Sequence, residues 1–428
     1  MDKDLNYYDL TIKYLLLALP VLLISGPLLP EIAIGIIFFF LIKKFLKKKI
    51  KFQEKYFIYG FLFFYISIIF GSLLSDYIFI SLKSTLFYLR FLILIFAIYY
   101  ILNNSENFLK SLKNVLLIIF LILILDGFYQ YFFHENIIGL KNANIHRISS
   151  FFGKELIYGS YLCRFLPILV GLLIFFHKTN IDRILIYLMI LVSIIAIFIS
   201  GERAAFILSI ISLIIIIFST NFFNKSKFYI VVLVLTFLTI IINTNFEIKH
   251  KWKLTFANSI FNPSNNHVVI ENKNYPLILD KKYTYMTLSA FKMFKDKPIL
   301  GHGVKSFRFN CKKEPYKIDD FDAYNFRLNC GNHPHNTYFQ LISETGIIGF
   351  SIIAIFFLLI LYELVKSQFS LRKKVFKNAF DFKICILSCI FINLFPFTTT
   401  GSFFNNWLSI VYFFPIGFLF YLKNHYKF

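Results

Sequence analysis

The chain has 428 residues, of which 58% are hydrophobic and only 16% are charged, and its formal net charge is +22. Soluble proteins carry roughly 25% charged and 45–50% apolar residues, so this composition is typical of a polytopic membrane protein. It excludes a soluble enzyme, a disordered chain and a disulfide-rich secreted module. Excess Lys and Arg are expected in the cytoplasmic loops of a membrane protein. We therefore predict a lipid bilayer around the chain and no nucleic-acid partner.

Apolar stretches long enough to cross roughly 30 Å of hydrocarbon recur along the whole chain. Their number predicts an all-α polytopic integral membrane protein with about 12 transmembrane helices. The stretches lie near residues 10–27, 30–46, 56–74, 81–102, 114–133, 155–177, 183–200, 203–221, 227–243, 345–366, 382–399 and 405–422. Three regions follow: an N-terminal bundle at 1–243, one large loop at 244–344 between helices 9 and 10, and C-terminal helices at 345–428.

Basic residues predict the orientation of these helices. The loop after the second stretch holds seven Lys between Lys43 and Lys55, and the loop after the tenth is also basic. Because basic loops stay in the cytoplasm, both termini are predicted to be cytoplasmic. The loop around 134–154 and the large loop then lie on the opposite side, and residues 284–297 of the large loop form a predicted amphipathic helix.

The most informative motif is NHPHNTYFQLISETGIIGF, residues 332–350. A histidine at the membrane surface can take up a proton near neutral pH, so His333 and His335 are candidates for a general base. Gly346 and Gly349 would allow close approach of another backbone. The alternative is that the histidines are polar residues of the membrane interface and the glycines mark the start of a helix.

A second motif, SGERAAF, places Arg203 at the start of the eighth predicted helix. An Arg at membrane depth is a functional candidate, and its planar fork suits phosphate or diphosphate. The alternative is an ion pair with Glu202. Arg147, in the loop before the sixth helix, is predicted to lie on the same side as Arg203 and His335.

Three further charged residues, Arg90, Asp126 and Arg164, fall inside predicted helices. Their charges could neutralise one another within the bundle, which is at least as good an explanation as a direct role.

The large loop carries other candidates. Lys281, Lys282 and Lys292 are cations, and Pro298 with the run at 301–303 marks a turn. A glycine-rich turn can present N–H groups to phosphate, but a plain turn is the favoured interpretation.

Two cysteines, Cys311 and Cys330, lie outside the predicted helices and could form a disulfide in an oxidising compartment. No Cys/His spacing is typical of a zinc or haem site, so no metal is predicted.

The histidine motif resembles a known signature. His335-Asn336, nine residues and then Gly346-Ile347-Ile348-Gly349 is similar to the H-[N/S/Q]-x9-G-x-x-G pattern of the O-antigen ligase family, within the O-antigen ligase/polymerase superfamily. SGERAA resembles the family's membrane-edge Arg motif, and KPILGHGVKSF resembles its P-x-x-G-x-G turn. The resemblance covers most of residues 80–400.

The resemblance implies a metal-independent glycosyltransferase without a cofactor. Its donor would be a glycan linked to undecaprenyl diphosphate, and its acceptor a sugar hydroxyl of lipid A–core. The site would lie at the periplasmic face of the bacterial inner membrane, in a large periplasmic loop.

The resemblance also implies roles for individual residues. His335 would remove the hydroxyl proton and Arg203 would stabilise the diphosphate. The predicted substrate-binding residues are Arg147, Lys282, Asn336 and His333. The family usually has a second Arg some fifteen residues before the P-x-x-G-x-G turn. Lys282 stands near that place, so either Lys282 substitutes for it or Arg147 takes its role.

Other activities share this architecture. An O-antigen polymerase would use a second lipid-linked repeat as acceptor, and a protein O-oligosaccharyltransferase would glycosylate a protein. A transporter without covalent chemistry is less favoured, because transporters show internal repeats with functional residues near the midplane, whereas these candidates cluster at one face.

Overall fold

The structure is a computed structural model that describes most of the chain. The described residues are 6–46, 54–141, 147–224, 227, 229, 232, 236, 239, 267–270, 273–276, 281–318, 330–369 and 376–426. Their α-helices are α1 Tyr7–Leu22, α2 Leu28–Leu46, α3 Lys55–Leu73, α4 Ile78–Thr85, α5 Arg90–Asn104, α6 Phe108–Phe133, α7 Tyr158–Phe176, α8 Asn180–Ile199, α9 Arg203–Ser219, α10 Lys281–Asp296, α11 Phe307–Asn310, α12 Thr337–Phe369, α13 Lys377–Asn393 and α14 Asn406–His425.

Short 3₁₀ helices occupy Leu86–Leu89 and Ser150–Phe152. Two short antiparallel strands, β1 His267–Ile270 and β2 Lys273–Pro276, pair Val268 with Tyr275. This hairpin lies in the predicted large loop, so it does not contradict the prediction that the membrane-spanning segments are helical.

Seven helical segments in the described ranges are long and apolar enough to cross a membrane. They are 55–73, 78–104, 108–133, 158–176, 180–199, 337–369 and 406–425. Two shorter apolar helices lie at 28–42 and 203–219. The chain is therefore a polytopic membrane protein, whereas the count of twelve stays a prediction. Most of the ninth predicted helix, 227–243, lies outside the described residues.

The packing explains which helices form the centre of the bundle. Helix α7 is mostly apolar, and nearly all of its residues are buried, as expected for a helix at the centre of a bundle. It packs mainly against α13, which also contacts α9, α12 and α14. Helices α3, α6 and α8 instead expose large apolar side chains such as Phe63, Leu125 and Leu188, a pattern that suits contact with lipid.

Hydrogen bonds between distant segments define one end of the bundle. Trp407, at the start of α14, donates its indole N–H to the Leu23 carbonyl after α1, at 3.2 Å. Arg164, near the start of α7, donates from Nη1 to the Asn393 Oδ1 atom at the end of α13, at 2.6 Å. Helices α1 and α13 therefore end where α7 and α14 begin. We call this end the His335 face, because it carries His335.

The idea that Arg90, Asp126 and Arg164 neutralise one another is wrong for the described contacts. Each binds a different partner at the His335 face: Glu31 and Asn406 for Arg90, Asn393 for Arg164, and Ile137 and Ser150 for Asp126. Such hydrogen bonds offset most of the desolvation free energy that these charged groups would otherwise cost the fold.

Helix α12 is broken at Gly346, and a turn at residues 298–303 docks into the break. The backbone of Gly346 has φ 62° and ψ −166°, which is far from helical. The break releases the Ile347 N–H, which donates to the Pro298 carbonyl at 2.8 Å.

The same turn also donates hydrogen bonds to the helix. The N–H groups of His302 and Gly303 reach the carbonyls of Ser343 and Glu344, at 3.1 and 2.9 Å. Because these N–H groups are already bonded to the protein, the interpretation as a plain turn, rather than a phosphate loop, is confirmed.

Glycine is required on both sides of this contact. A Cβ atom on Gly301 would lie 2.5 Å from the Glu344 carbonyl carbon and the Thr345 nitrogen. A Cβ atom on Gly346 would overlap the Ile299 carbonyl. Both glycines also have positive φ values, 69° and 62°, which side chains disfavour. The two backbones therefore touch only because neither residue has a side chain.

The large loop has a small core of its own. Helix α10 confirms the predicted amphipathic helix at 284–297, and its apolar face buries Met286 and Met293 against Phe307 and Cys311.

Cys311 and Cys330 form a disulfide, with their Cα atoms 5.3 Å apart. Closing a loop of this size stabilises a fold by about 3 kcal/mol in the chain-entropy description. Because Cys330 precedes His333 by only three positions, the bond also ties the histidine segment to this core.

We predict that Gly346→Ala lowers the free energy of unfolding by roughly 2–5 kcal/mol, from backbone strain and overlap with the turn. Thermal unfolding of the detergent-solubilised protein would measure this. Gly35→Ala in α2 is the matched control, because nothing lies within 4 Å of that Cβ position. Equal melting temperatures for Gly346→Ala and wild type would contradict the requirement for glycine.

Candidate active site

The two histidines lie just before α12 and are held by Thr400. The Thr400 N–H donates to the His335 carbonyl at 2.8 Å, and the Thr400 carbonyl lies 3.2 Å from the His333 Nε2 atom. The Thr400 hydroxyl also contacts the Thr337 hydroxyl at 3.1 Å. Since a carbonyl only accepts, the His333 Nε2 atom carries the proton in this contact. The segment after α13 thus fixes both histidines.

Asn336 fixes the same two segments from its own side chain. Its Oδ1 atom accepts from the N–H groups of Tyr338 and Phe339 and so caps α12. Its Nδ2 group donates to the carbonyls of Pro396 and Thr398, at 2.7 and 3.3 Å. The contacts described for Asn336 are therefore structural, and its role in substrate binding stays a prediction.

The first turn of α10 brings two residues to His335. The Tyr283 ring meets the His335 ring edge-on at a centroid distance of 5.4 Å, and the His333 ring lies 4.3 Å away on centroids. Lys282 is exposed at this turn, and its charge acts on both histidines. Helix α10 packs along α12, which explains how residues some fifty positions apart in the sequence meet.

The surroundings of both histidines favour the neutral ring. Burial and the Lys282 charge lower the pKa of His335 below its ordinary value. Burial and the neighbouring His335 lower the pKa of His333 to about 4. A neutral imidazole is the form that accepts a proton, so the environment favours the base over the acid.

The His335 ring is available for this chemistry. Within the parts of the chain that the structure describes, neither ring nitrogen forms a hydrogen bond. Its backbone has φ 55°, a left-handed conformation uncommon for a residue with a side chain. Such strain occurs most often at functional sites, where the surrounding structure holds it in place.

A second cluster surrounds the buried Glu202 carboxylate, only 7% exposed. Glu202 accepts from the N–H groups of Gly159 and Ser160 at the start of α7, at 2.7 and 3.1 Å. The Arg147 guanidinium lies 3.9 Å from it and also donates to the Leu156 carbonyl. Glu202 therefore links the Arg147 loop to the helix end.

Arg203 follows Glu202 directly and begins α9, where its side chain is exposed. The two arginines of the SGERAAF and 134–154 regions are thus brought to one cluster, as the sequence predicts.

The Arg147 loop folds back against α6. Asp126, inside that helix, accepts from the Ile137 N–H at 2.8 Å and from the Ser150 hydroxyl. Gln130, one turn later, accepts from the N–H groups of Ser149 and Ser150, at 3.0 and 2.6 Å. Asp126 therefore has a positioning role in the described contacts, because it holds the loop that carries Arg147.

Both clusters lie at the His335 face. Glu202 binds the start of α7, and Arg164 in the same helix binds Asn393 at the end of α13. The segment that holds the histidines begins at the next residue after Asn393. The bundle therefore brings the predicted base and the predicted arginines to one end of the molecule.

Sequence reasoning missed Thr400 and Tyr283. The run TTTGS at 398–402, between the last two predicted helices, could have indicated Thr400, because it is a polar turn on the side of the membrane predicted to carry the active site. Tyr283 gave no signal of its own. Among the described residues, no group of three or more His, Cys, Asp or Glu is arranged to hold a metal ion.

Comparison with protein families places these residues in a known context. The family model described as O-antigen ligase matches residues 188–380, which include Arg203, Lys282 and His335. Residues 188–380 are therefore similar to the O-antigen ligase family. This match confirms the resemblance seen in the sequence, and the matched segment runs from α8 to the start of α13. No curated protein matches the chain.

We predict that Lys282→Gln raises the pKa of His335, because the cation that repels the protonated ring is lost. Diethyl pyrocarbonate modifies the neutral ring, and peptide mass spectrometry can follow its reaction with His335. The pH at which this modification rate reaches half of its maximum should be higher in Lys282→Gln than in wild type. Lys312→Gln removes an exposed charge from the same loop and should leave this pH unchanged. A shift to lower pH in Lys282→Gln would contradict the assignment.

Proposed function

We propose that the protein is an O-antigen ligase that transfers a polysaccharide from undecaprenyl diphosphate to a sugar hydroxyl of lipid A–core. The family match supports an activity of the O-antigen ligase/polymerase type. The observation that carries the finer proposal is the position of His335, whose pKa is lowered by burial and Lys282. Thr400 holds it at the same end of the bundle as Arg147 and Arg203.

The proposed reaction is a single displacement. His335 takes the proton of the acceptor hydroxyl as its oxygen attacks the anomeric carbon of the donor. The bond from this carbon to the diphosphate breaks, and its electron pair leaves with undecaprenyl diphosphate. Arg203, assisted by Arg147 and Lys282, stabilises the negative charge of the leaving group. The proton then passes from His335 to solvent. Diphosphate is already an activated leaving group, so the proposal invokes no cofactor.

We propose further that the His335 face is periplasmic and that both termini lie in the cytoplasm of the inner membrane. The disulfide between Cys311 and Cys330 supports this orientation, because disulfides persist in oxidising compartments. The opposite end carries Lys383 and Lys423, which pair with Glu363. Basic residues at that end agree with the excess expected on the cytoplasmic side.

We predict that His335→Ala lowers the transfer rate roughly 10²–10⁴-fold, the usual contribution of a general base. Purified protein in lipid vesicles, given lipid-linked glycan and lipid A–core, would measure it. Because the pKa of His335 is lowered, the wild-type rate should fall only below about pH 6.5, the ordinary pKa of histidine. His425→Ala, at the other end of the bundle, is the control. Full activity in His335→Ala would remove this residue from the mechanism.

A cell experiment separates the ligase from the polymerase. In a deletion strain complemented with His335→Ala, a ligase defect leaves lipid A–core without glycan while long chains accumulate on the lipid carrier. A polymerase defect instead gives core with a single repeat and no long chains anywhere. A gel of lipopolysaccharide and of lipid-linked glycan reads both outcomes.

We predict that Arg203→Ala lowers the transfer rate roughly 10²–10³-fold, as expected when a group that stabilises developing negative charge is removed. Arg203→Lys keeps the charge but loses the planar fork, so it should recover part of the rate. Steady-state kinetics against donor concentration would measure both variants. If Arg203→Ala keeps the wild-type rate at all donor concentrations, Arg203 does not act on the diphosphate.

A further inference from the structure

A second group of cations lies near the histidines and has no part in the reaction above. It consists of Lys305 and Arg308, which follow the 298–303 turn. The backbone on either side of Lys305 is bound to Glu344: the Gly303 N–H donates to its carbonyl at 2.9 Å, and the Phe307 N–H donates to its carboxylate at 3.1 Å. Glu344 is therefore occupied by backbone donors and anchors the segment that carries both cations.

These cations have no bonded carboxylate partner in the described parts of the protein, although the charge of Glu344 acts on both and that of Glu31 acts on Lys305. Neither Lys305 nor Arg308 forms an ion pair within the described ranges. The Nε atoms of both Arg308 and Arg90 are buried without a hydrogen-bond partner there, but the other guanidinium nitrogens of Arg308 also form no bond with a described residue. By contrast, Arg90 nearby is paired with Glu31 at 3.0 Å and with Asn406 at 2.8 Å. A partly buried guanidinium group with no bonded partner at all is unfavourable unless a ligand satisfies it.

Lys305 and Arg308 lie close to each other, and Arg308 lies within electrostatic reach of His333. After burial, the charge of Arg308 is the next cause that lowers the pKa of Lys305. After burial and His335, the Arg308 charge also lowers the pKa of His333. Lys305 has φ 61°, a left-handed conformation that a lysine adopts only when the surroundings impose it. The fold thus holds two like charges together, with Arg308 near His333.

The helix packing separates this pair from the arginine cluster. Helices α7 and α9 carry the cluster of Glu202, Arg147 and Arg203, and both pack against α13. Lys305 lies within electrostatic reach of Arg90 and Glu31, at the starts of α5 and α2, and α5 packs against α14. The segment between α13 and α14 holds His335. This segment therefore joins α13, which packs against the helices of the arginine cluster, to α14, which packs against α5.

A displacement at the anomeric carbon requires this kind of arrangement. The attacking hydroxyl and the departing diphosphate must occupy opposite sides of the reacting sugar, and the base must be on the side of the hydroxyl. If Arg147 and Arg203 hold the diphosphate, the acceptor approaches from the side of Lys305 and Arg308. An acceptor with anionic groups would find complementary charge there.

We propose that Lys305 and Arg308 form a binding site for an anionic group, a phosphate or a carboxylate, on the acceptor saccharide. This inference rests on the proposed function. A guanidinium fork beside an ammonium suits either anion, and the two bonds would place the acceptor hydroxyl beside His335. The pair binds and positions the acceptor and takes no part in the proton transfer.

The test measures KM for each substrate with the full-length protein in nanodiscs. We expect Arg308→Gln to raise KM for phosphorylated lipid A–core about 10- to 100-fold, the equivalent of one charge-assisted hydrogen bond, and to leave KM for the donor unchanged. Lys305→Asn should act in the same direction without new strain, because Asn tolerates left-handed backbone. Arg308→Lys should recover part of the affinity. Lys312→Gln, on the same segment, is the matched control.

Modified acceptors identify the anion. If dephosphorylated lipid A–core abolishes the difference between wild type and Arg308→Gln, the site binds phosphate; if carboxyl-reduced lipid A–core abolishes it, the site binds carboxylate. A difference that survives both treatments overturns the inference, as does a rise in donor KM alone. If wild type transfers glycan and Arg308→Gln has the wild-type acceptor KM, only this inference fails. If wild type transfers nothing to this acceptor, the proposed function fails and the inference with it.

Discussion

The active end of this protein depends on the contact between the 298–303 turn and the break in α12. A transmembrane helix normally satisfies all its own backbone groups, so a break must be repaired by another segment. Here the repair comes from the large loop, through hydrogen bonds in both directions around Gly346. The contact therefore fixes the loop onto the membrane bundle. It also positions two neighbouring segments: the histidines precede the break in α12, and Lys305 and Arg308 follow the turn.

This contact changes the meaning of the two glycine motifs. Each motif, taken alone, looks like a place where a ligand might approach the backbone. Gly301 and Gly346 instead allow the two motifs to pack together, because a side chain on either residue would overlap the backbone of the other motif. The chemical residues lie next to the motifs, at His335 and Arg308, so the glycines provide a rigid base from which those side chains reach the site.

The sequence predicted the helical membrane architecture, the amphipathic α10 and the place of the histidine motif, because these depend on local composition and spacing. It could not predict that the P-x-x-G-x-G turn meets Gly346, because some forty-five residues separate them and only the fold joins them. For the same reason Thr400 and Arg308 were missed: a lone threonine or arginine in a loop has no periodic pattern. The charged residues of the predicted helices were located correctly, but their mutual pairing was wrong, since hydrogen bonds to other segments satisfy them.

The distribution of charge separates structural cations from those that suit a substrate. Arg90 and Arg164 both have side-chain partners, Glu31 and Asn406 for the first and Asn393 for the second. Within the described parts, Lys305 and Arg308 have none. Partial burial of an unpaired cation costs free energy of desolvation. An anionic ligand that pairs with the cation would offset this cost and so stabilise the fold. The Arg308 charge also favours the neutral form of His333, whereas the charge that acts on the proposed base, His335, is that of Lys282.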